Sequence, residues 1–262
     1  MRIGFELETV CMTTPNNGVG DYHDGIPVEE LGSIGGRDIQ SQSDSSISMS
    51  EDEYGIEFVS PTFAFNSDNI KKMFKTCDDI HDIFGARVNR SCGTHISISL
   101  PPLDHVTYRL LYFNAKMFQQ GMFASTGSIN RQEGRYANPI QQLPYTGESG
   151  IDEGRYSNQD RTSWLNMYHV DKTRKVTSRN ERCEMRLFSG TLDGRKLVAW
   201  SQLATCFIAW ATDIDGVEPT LPNKKPAGMG EGLYNLNCLL ESLGWIGDDC
   251  NSNWVDNDMM TE

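Results

Sequence analysis

At 262 residues the chain is long enough to bury a sizeable core in one large domain, and 38% hydrophobic with 10% aromatic residues excludes a disordered or membrane-embedded class. A formal net charge of −13, from 23 Lys and Arg against 36 Asp and Glu, argues against nucleic acid as a partner, because phosphate binding needs clustered basic side chains. Seven cysteines, an odd number with no Cys-x-x-Cys pair, give neither a disulfide framework nor a zinc knuckle, so reduced thiols are expected.

Residues 2 to 10 alternate, with Ile3, Phe5 and Leu7 on one face and Gly4, Glu6 and Glu8 on the other, the pattern of a half-buried strand. Met1-Arg2 runs directly into that strand with no leader pattern, which sets a cytoplasmic location as the expectation. The stretch to about Gln42 is rich in Gly, Pro, Asn and Asp and reads as a long loop, with a short irregular strand as the alternative within it. Ser46 to Ser50 and Gly55 to Ser60 read as short strands on either side of an acidic turn, Glu51-Asp52-Glu53. Asn66 caps a helix in which Ile70, Met73, Phe74, Cys77, Ile80, Ile83 and Phe84 recur at helical spacing, and Gly85 ends it.

Ala86 to Asn89 and Gly93 to Leu100 then read as a strand pair, with Ile96, Ile98 and Leu100 facing inward and His95, Ser97 and Ser99 facing oppositely. A second helix is predicted from about Asp104 to Phe123. Residues 125 to 160 return to Gly, Asn, Gln and Tyr, with Arg131, Arg135, Arg155 and Arg161 in or just beyond them, and read as a substrate-covering loop. Trp164 to Val170 and Arg182 to Phe188 are the last predicted strands. The longest apolar stretch, Leu197 to Ala211, is interrupted by Ser201, Gln202 and Thr205 and is too short to span a bilayer, so a buried helix over Leu197 to Thr212 is expected. No Lys or Arg follows Lys225, whereas Glu231, Glu241, Asp248, Asp249, Asp256, Asp258 and Glu262 do. The domain reading is therefore one domain over residues 1–247 and a solvated acidic tail over residues 248–262.

Strand parity places Glu6 beside Glu8, His95 beside Ser97 and Glu184 beside Arg186, each pair on a polar face whose reverse is apolar. Any one of these is weak, since an isolated Glu-x-Glu is usually a solvated face and a lone histidine is usually structural. Several carboxylates on one sheet face repel one another unless one protonates or a cation neutralises them. Oxygen ligands with one imidazole suit Mg²⁺ or Mn²⁺. Arg186, on the face of Glu184, offers a planar fork to a phosphate oxygen. There is no Gly-x-x-x-x-Gly-Lys loop, and Gly228-Met-Gly230-Glu-Gly232 follows no predicted strand, so phosphate would have to be held by metals and arginines. Cys92, three residues before His95 in an extended segment, points to the opposite face and reads as a small buried turn residue.

The order of segments is more specific than any of them singly. Gly4-Phe5-Glu6-Leu7-Glu8, Asp44-Ser45, Gly55-Ile56-Glu57-Phe58-Val59-Ser60-Pro61, Asn89-Arg90-Ser91-Cys92-Gly93-Thr94-His95 and Glu184-Met185-Arg186 together resemble the amidoligase family, within the glutamine-synthetase-like carboxylate-amine ligases, over roughly residues 1 to 212. That resemblance implies an α+β fold, a mainly antiparallel β-sheet with metal-binding carboxylates on one face and helices packed on the other. It implies metal ligation by Glu6, Glu8, Glu57, His95 and Glu184, catalytic roles for Arg186 and Glu57, and nucleotide or substrate contacts from Arg186, Arg161 and Asn166. The implied activity is an ATP-dependent carboxylate-amine ligase using ATP and Mg²⁺ or Mn²⁺ on small-molecule or peptide substrates, with no nucleic acid and no membrane partner. A guanidino-kinase-like phosphotransferase or a non-catalytic metal-stabilised binding module would keep the same metal residues. The motifs name neither the carboxylate nor the amine, nor the general base, nor the oligomeric state.

Overall fold

The computed structural model describes residues 1–100, 105–126, 137–140, 162–167, 182–213 and 229–246. Arg131, Arg135, Arg155 and Arg161 of the expected covering loop, residues 168–170 of the expected late strand and the acidic tail over residues 248–262 lie outside the described residues. Among the described residues the fold is α+β, with a mainly antiparallel sheet and four helices. No helix among them is long and apolar enough to cross a membrane. The chain divides into two compact units. The first takes its described residues from Met1–Ser97 and Phe188–Leu203, and the second takes its own from Ile98–Leu187 and Ala204–Trp254.

The strands, in chain order, are β1 (Arg2–Cys11), β2 (Ile26–Pro27), β3 (Ser33–Ile34), β4 (Arg37–Asp38), β5 (Gln40–Ser43), β6 (Tyr54–Val59), β7 (Phe63–Ala64), β8 (Gly93–Ser99), β9 (Leu165–Asn166) and β10 (Arg182–Ser189). The helices are α1 (Ser67–Phe84), α2 (His105–Ser125), α3 (Gly194–Thr212) and α4 (Glu231–Ser242). In the first unit the sheet runs β2–β5–β6–β1–β8, with β7 also pairing β1. β1 and β6 are antiparallel with Leu7 opposite Phe58 and Glu8 opposite Glu57, and β5 adds Gln42 opposite Glu57 and Gln40 opposite Val59. Because opposed residues share a face, Gln42, Glu57 and Glu8 form one cross-strand row, and Gln40, Val59 and Glu6 form the next.

The reverse face carries Phe5, Leu7, Ile56 and Phe58, all buried. Phe84 of α1 stacks on Phe58 with ring centroids 5.5 Å apart, so α1 covers this apolar face. That helix begins as the sequence predicts, with the Asn66 side chain accepting from the Asn69 backbone N–H at 3.0 Å, and it ends at Gly85 in the left-handed conformation with φ of 56°. β1 is not half-buried as its alternation suggests. On its polar face Glu6 is half-buried but Glu8 is buried, at 6% exposure.

Three other expectations are corrected. The segment Ser46 to Ser50 is not a strand. Asp44 Oδ1 accepts from the Ser46 backbone N–H at 2.7 Å, an Asx turn that bends the chain away, and Gln40–Ser43 takes the edge of β6 instead. The predicted loop before Gln42 thus contains strands β2 to β5 and a 3₁₀ turn at Glu29–Leu31. The segment Ala86 to Asn89 makes one isolated bridge, Val10 with Arg87, and no strand.

In the second unit β10 pairs β9 with Glu184 opposite Asn166 and Met185 opposite Leu165. Cys183, Met185 and Leu187 are fully buried on the apolar side of β10. Trp164 meets Phe123 of α2 and Phe207 of α3. Helix α4 has no counterpart in the sequence reading. Its buried Asn235 bridges the α2 backbone, donating to the Met117 carbonyl at 3.0 Å and accepting from the Gly121 N–H. A Cβ on Gly121 would lie 2.7 Å from the Leu236 nitrogen, so this crossing needs glycine.

Phe58 holds the back of the carboxylate-bearing strand against α1. Phe58→Ala should destabilise the protein by about 3–5 kcal/mol in urea titration. A change under about 1 kcal/mol would mean that the sheet-to-helix contact contributes little.

Candidate metal centre

Parity puts Glu6 and Glu8 of β1 and Glu57 of β6 on one face, and β8 adds His95 from the other side of β1. The imidazole sits between carboxylates. Its Nδ1 lies 3.1 Å from Glu6 Oε2 and 3.9 Å from Glu57 Oε1, and its Nε2 lies 3.5 Å from Glu8 Oε1. His95, Glu8 and Glu57 are buried, at 2%, 6% and 4% exposure, whereas Glu6 is half-buried. Two supports hold the carboxylates in place. The Gln42 side-chain amide donates to Glu57 Oε2, and the Gly93 backbone N–H donates to Glu8 Oε2.

Burial is the largest influence on Glu57, and with the nearby Glu6 and Glu8 charges it outweighs the opposing pull of His95 and Gln42. The carboxyl is pushed up to about 8. Two sets of ligand atoms, each within 4.8 Å of one another, meet here: Glu6, Glu57 and His95, and Glu8, Asp44 and Glu57. Glu57 belongs to both. The donor set is oxygen-rich with one imidazole, which suits Mg²⁺ or Mn²⁺ and not a thiolate-seeking ion.

In the second unit, Glu184 accepts from Asn166 Nδ2 at 2.8 Å and from Arg186 Nη1 at 2.9 Å, so the three residues form a bonded cluster on one face. Glu184 and Asn166 are buried, and 19% of the Arg186 side chain is exposed. The structure thus brings Glu6, Glu8, Glu57 and His95 together, and separately Asn166, Glu184 and Arg186, while Arg161 lies outside the described residues.

The sequence reading missed Gln42, because Gln40–Ser43 contains no apolar residue to betray a strand. It named Asp44 in a motif without giving it a ligand role. The six described cysteines are buried free thiols, and burial raises Cys92 and pushes Cys11 up to about 11 and Cys183 up to about 12, which disfavours a thiolate nucleophile.

Comparison with known protein families matches residues 32–208, more than half of the chain, to the family described as "Putative amidoligase enzyme". The chain belongs to this amidoligase family. The matched segment contains Glu57, His95, Asn166, Glu184 and Arg186 but begins after Glu6 and Glu8, which join the amidoligase's carboxylate face through strand geometry alone. No curated protein matches the chain.

The raised Glu57 carboxyl carries a pH signature. From roughly pH 4.3, the ordinary glutamate value, up to about 8 the folded metal-free chain keeps a proton that the unfolded chain has released, so stability falls as pH rises through that window. Melting of the metal-free protein should move down between pH 5 and 8, and Glu57→Gln should flatten this slope and raise the melting temperature at pH 8. An unchanged slope in the variant would show that Glu57 ionises freely.

Proposed function

We propose that this amidoligase is an ATP-dependent carboxylate-amine ligase, acting in the cytoplasm on small-molecule or peptide substrates. The observation that carries the reading is the convergence of Glu6, Glu8, Glu57 and His95 on one sheet face of an amidoligase-family chain. These residues would hold Mg²⁺ or Mn²⁺, and Glu184 offers a further carboxylate. Such ions supply charge neutralisation to the phosphate oxygens of ATP. The substrate carboxylate oxygen attacks the γ-phosphorus, the bond to the bridging oxygen breaks and ADP leaves. The amine nitrogen then attacks the acyl carbon, loses its proton, and phosphate departs as the amide forms. Arg186 supports this by presenting guanidinium N–H groups to the transferred phosphoryl group, where charge accumulates. Its Nη1 bond to Glu184 fixes the direction of the fork. Asn166, held on Glu184, and Arg161 are assigned to nucleotide or substrate contacts.

Incubation with ATP, Mg²⁺ and mixed amino acids or peptides, followed by phosphate release and mass spectrometry, tests the reading. ADP, phosphate and an amide product are expected. ADP with a stable phosphorylated acceptor would instead make the protein a kinase, and no ATP consumption would make it a binding module. Arg186→Lys keeps the charge and loses the two-pronged fork. Turnover at saturating substrate should fall about 30- to 1000-fold, corresponding to roughly 2–4 kcal/mol of lost transition-state stabilisation, with little change in melting. Unchanged turnover, or a loss explained wholly by unfolding, would remove Arg186 from the phosphate.

A further inference from the structure

The register of the β3–β4 hairpin sorts its two charged residues. Ile34 faces Arg37 and Ser33 faces Asp38, and Ile34 is fully buried whereas Ser33 is exposed. Opposed residues share a face, so Arg37 lies on the side turned to the body of the fold and Asp38 on the side turned away. The hairpin is held in place: the Gly35 N–H donates to Asn69 Oδ1 at 3.3 Å, and a Cβ on Gly35 would meet the Phe63 Cβ at 2.6 Å. From this fixed base Arg37 Nη2 reaches Thr62, donating to its carbonyl at 3.3 Å and to its Oγ1 at 3.1 Å.

Arg2, at the start of β1, reaches the same carbonyl, its Nη2 donating to it at 2.6 Å. Two guanidinium groups therefore meet over one oxygen. Among the described residues no carboxylate pairs with Arg37, and its Nε and Nη1 are left without acceptors. A carbonyl dipole offsets only part of the repulsion between two cations, and an oxyanion set against both offsets more while taking up the unused donors. Both arginines are exposed, so an anion from solvent reaches them directly. Beside Arg37 lies a cavity of about 420 Å³, bordered among others by Gly36, Gln40, Ser60 and Pro61. Its volume falls within the range of small-molecule sites, roughly 300–1,000 Å³. Asp38 also borders this cavity, but the register directs its side chain to the opposite side of the hairpin.

Strand parity joins the arginine pair to the metal centre. Arg2, Gly4, Glu6 and Glu8 share one face of β1, which is cationic at its start and anionic further on. About 13 Å of strand separates Arg2 from Glu6. On the flank of that path, Gln40 of the cavity begins the cross-strand row Gln40–Val59–Glu6.

We propose that Arg2 and Arg37 form an oxyanion site, which holds the carboxylate or phosphate group at one end of a molecule whose other end lies at Glu6, Glu57 and His95. The site selects an acid that carries a second anionic group several bonds from its reacting carboxylate. That the molecule is a substrate rests on the ligase reading; the binding of the anion does not.

The test follows the arginine Nε–H NMR signals of the metal-free full chain, assigned with Arg2→Gln and Arg37→Gln, during titration with sodium phosphate and with sodium succinate at low salt, where exposed charges are least screened. Both signals should shift saturably with at least one anion, and which anion it is tells a phosphate site from a carboxylate site. Each variant should weaken that binding at least tenfold and leave Mn²⁺ affinity within twofold of wild type. Arg2→Gln keeps the Arg37 bonds to Thr62, so it reads the site even where Arg37→Gln loosens the hairpin. No saturable shift with either anion, or binding of wild-type strength in both variants, overturns the proposal. Anion binding in a protein that consumes no ATP would sink the ligase reading and leave the site standing. ATP-dependent amide formation with an unaltered KM for the acid in both variants would keep the ligase and remove the site from its substrate.

Discussion

The crowding of Glu57 against Glu6 and Glu8 on a covered sheet face is the constraint on which the candidate site depends. Burying ionised carboxylates side by side is costly, and a fold that does so must supply an opposing charge or leave a proton in place. In the metal-free chain the raised Glu57 carboxyl, the His95 imidazole and the Gln42 amide share that task. Nothing about packing requires it, because the apolar core lies on the other face, under α1. A divalent cation is the ligand that would relieve the electrostatics of the polar face most directly.

The arrangement follows from strand pairing. One residue separates Glu6 from Glu8, so they share a face, and the register with β6 puts Glu57 directly opposite Glu8. A slip of one residue in that register would turn Glu57 into the apolar core and Phe58 out of it. The stack of Phe58 on Phe84 therefore does more than stabilise a helix, because it fixes which side of the sheet receives the third carboxylate. The Gly93 N–H, at the start of β8, then orients Glu8 two residues before His95 closes the group.

Much of this was legible in the sequence, and the exceptions have physical causes. Clean alternation exposed β1, and the Asn66 cap with the Gly85 stop bounded α1 to within a residue. The faces of Glu6, Glu8 and His95 could be read from parity, whereas Glu57 entered through the family resemblance. The depth to which Glu57 is buried could not, because that depends on Gln42, a residue of a strand with no apolar member that exists only because β6 offers it an edge. Ile47 and Met49 imitated strand alternation, and the Asp44 side chain overrode them by capping a turn. Helix α4 was hidden by its flanking glycines and is held through Asn235, whose bonds to α2 reach across more than a hundred residues of sequence.

The most direct measurement of the central claim is a calorimetric titration of the metal-free protein with Mn²⁺ at pH 7 in two buffers of different ionisation enthalpy. Ligation requires the Glu57 proton to leave, so the account predicts saturable binding with release of close to one proton, and affinity that rises with pH until about 8. Binding without proton release would contradict the buried, protonated Glu57. Absence of binding would contradict the metal centre itself.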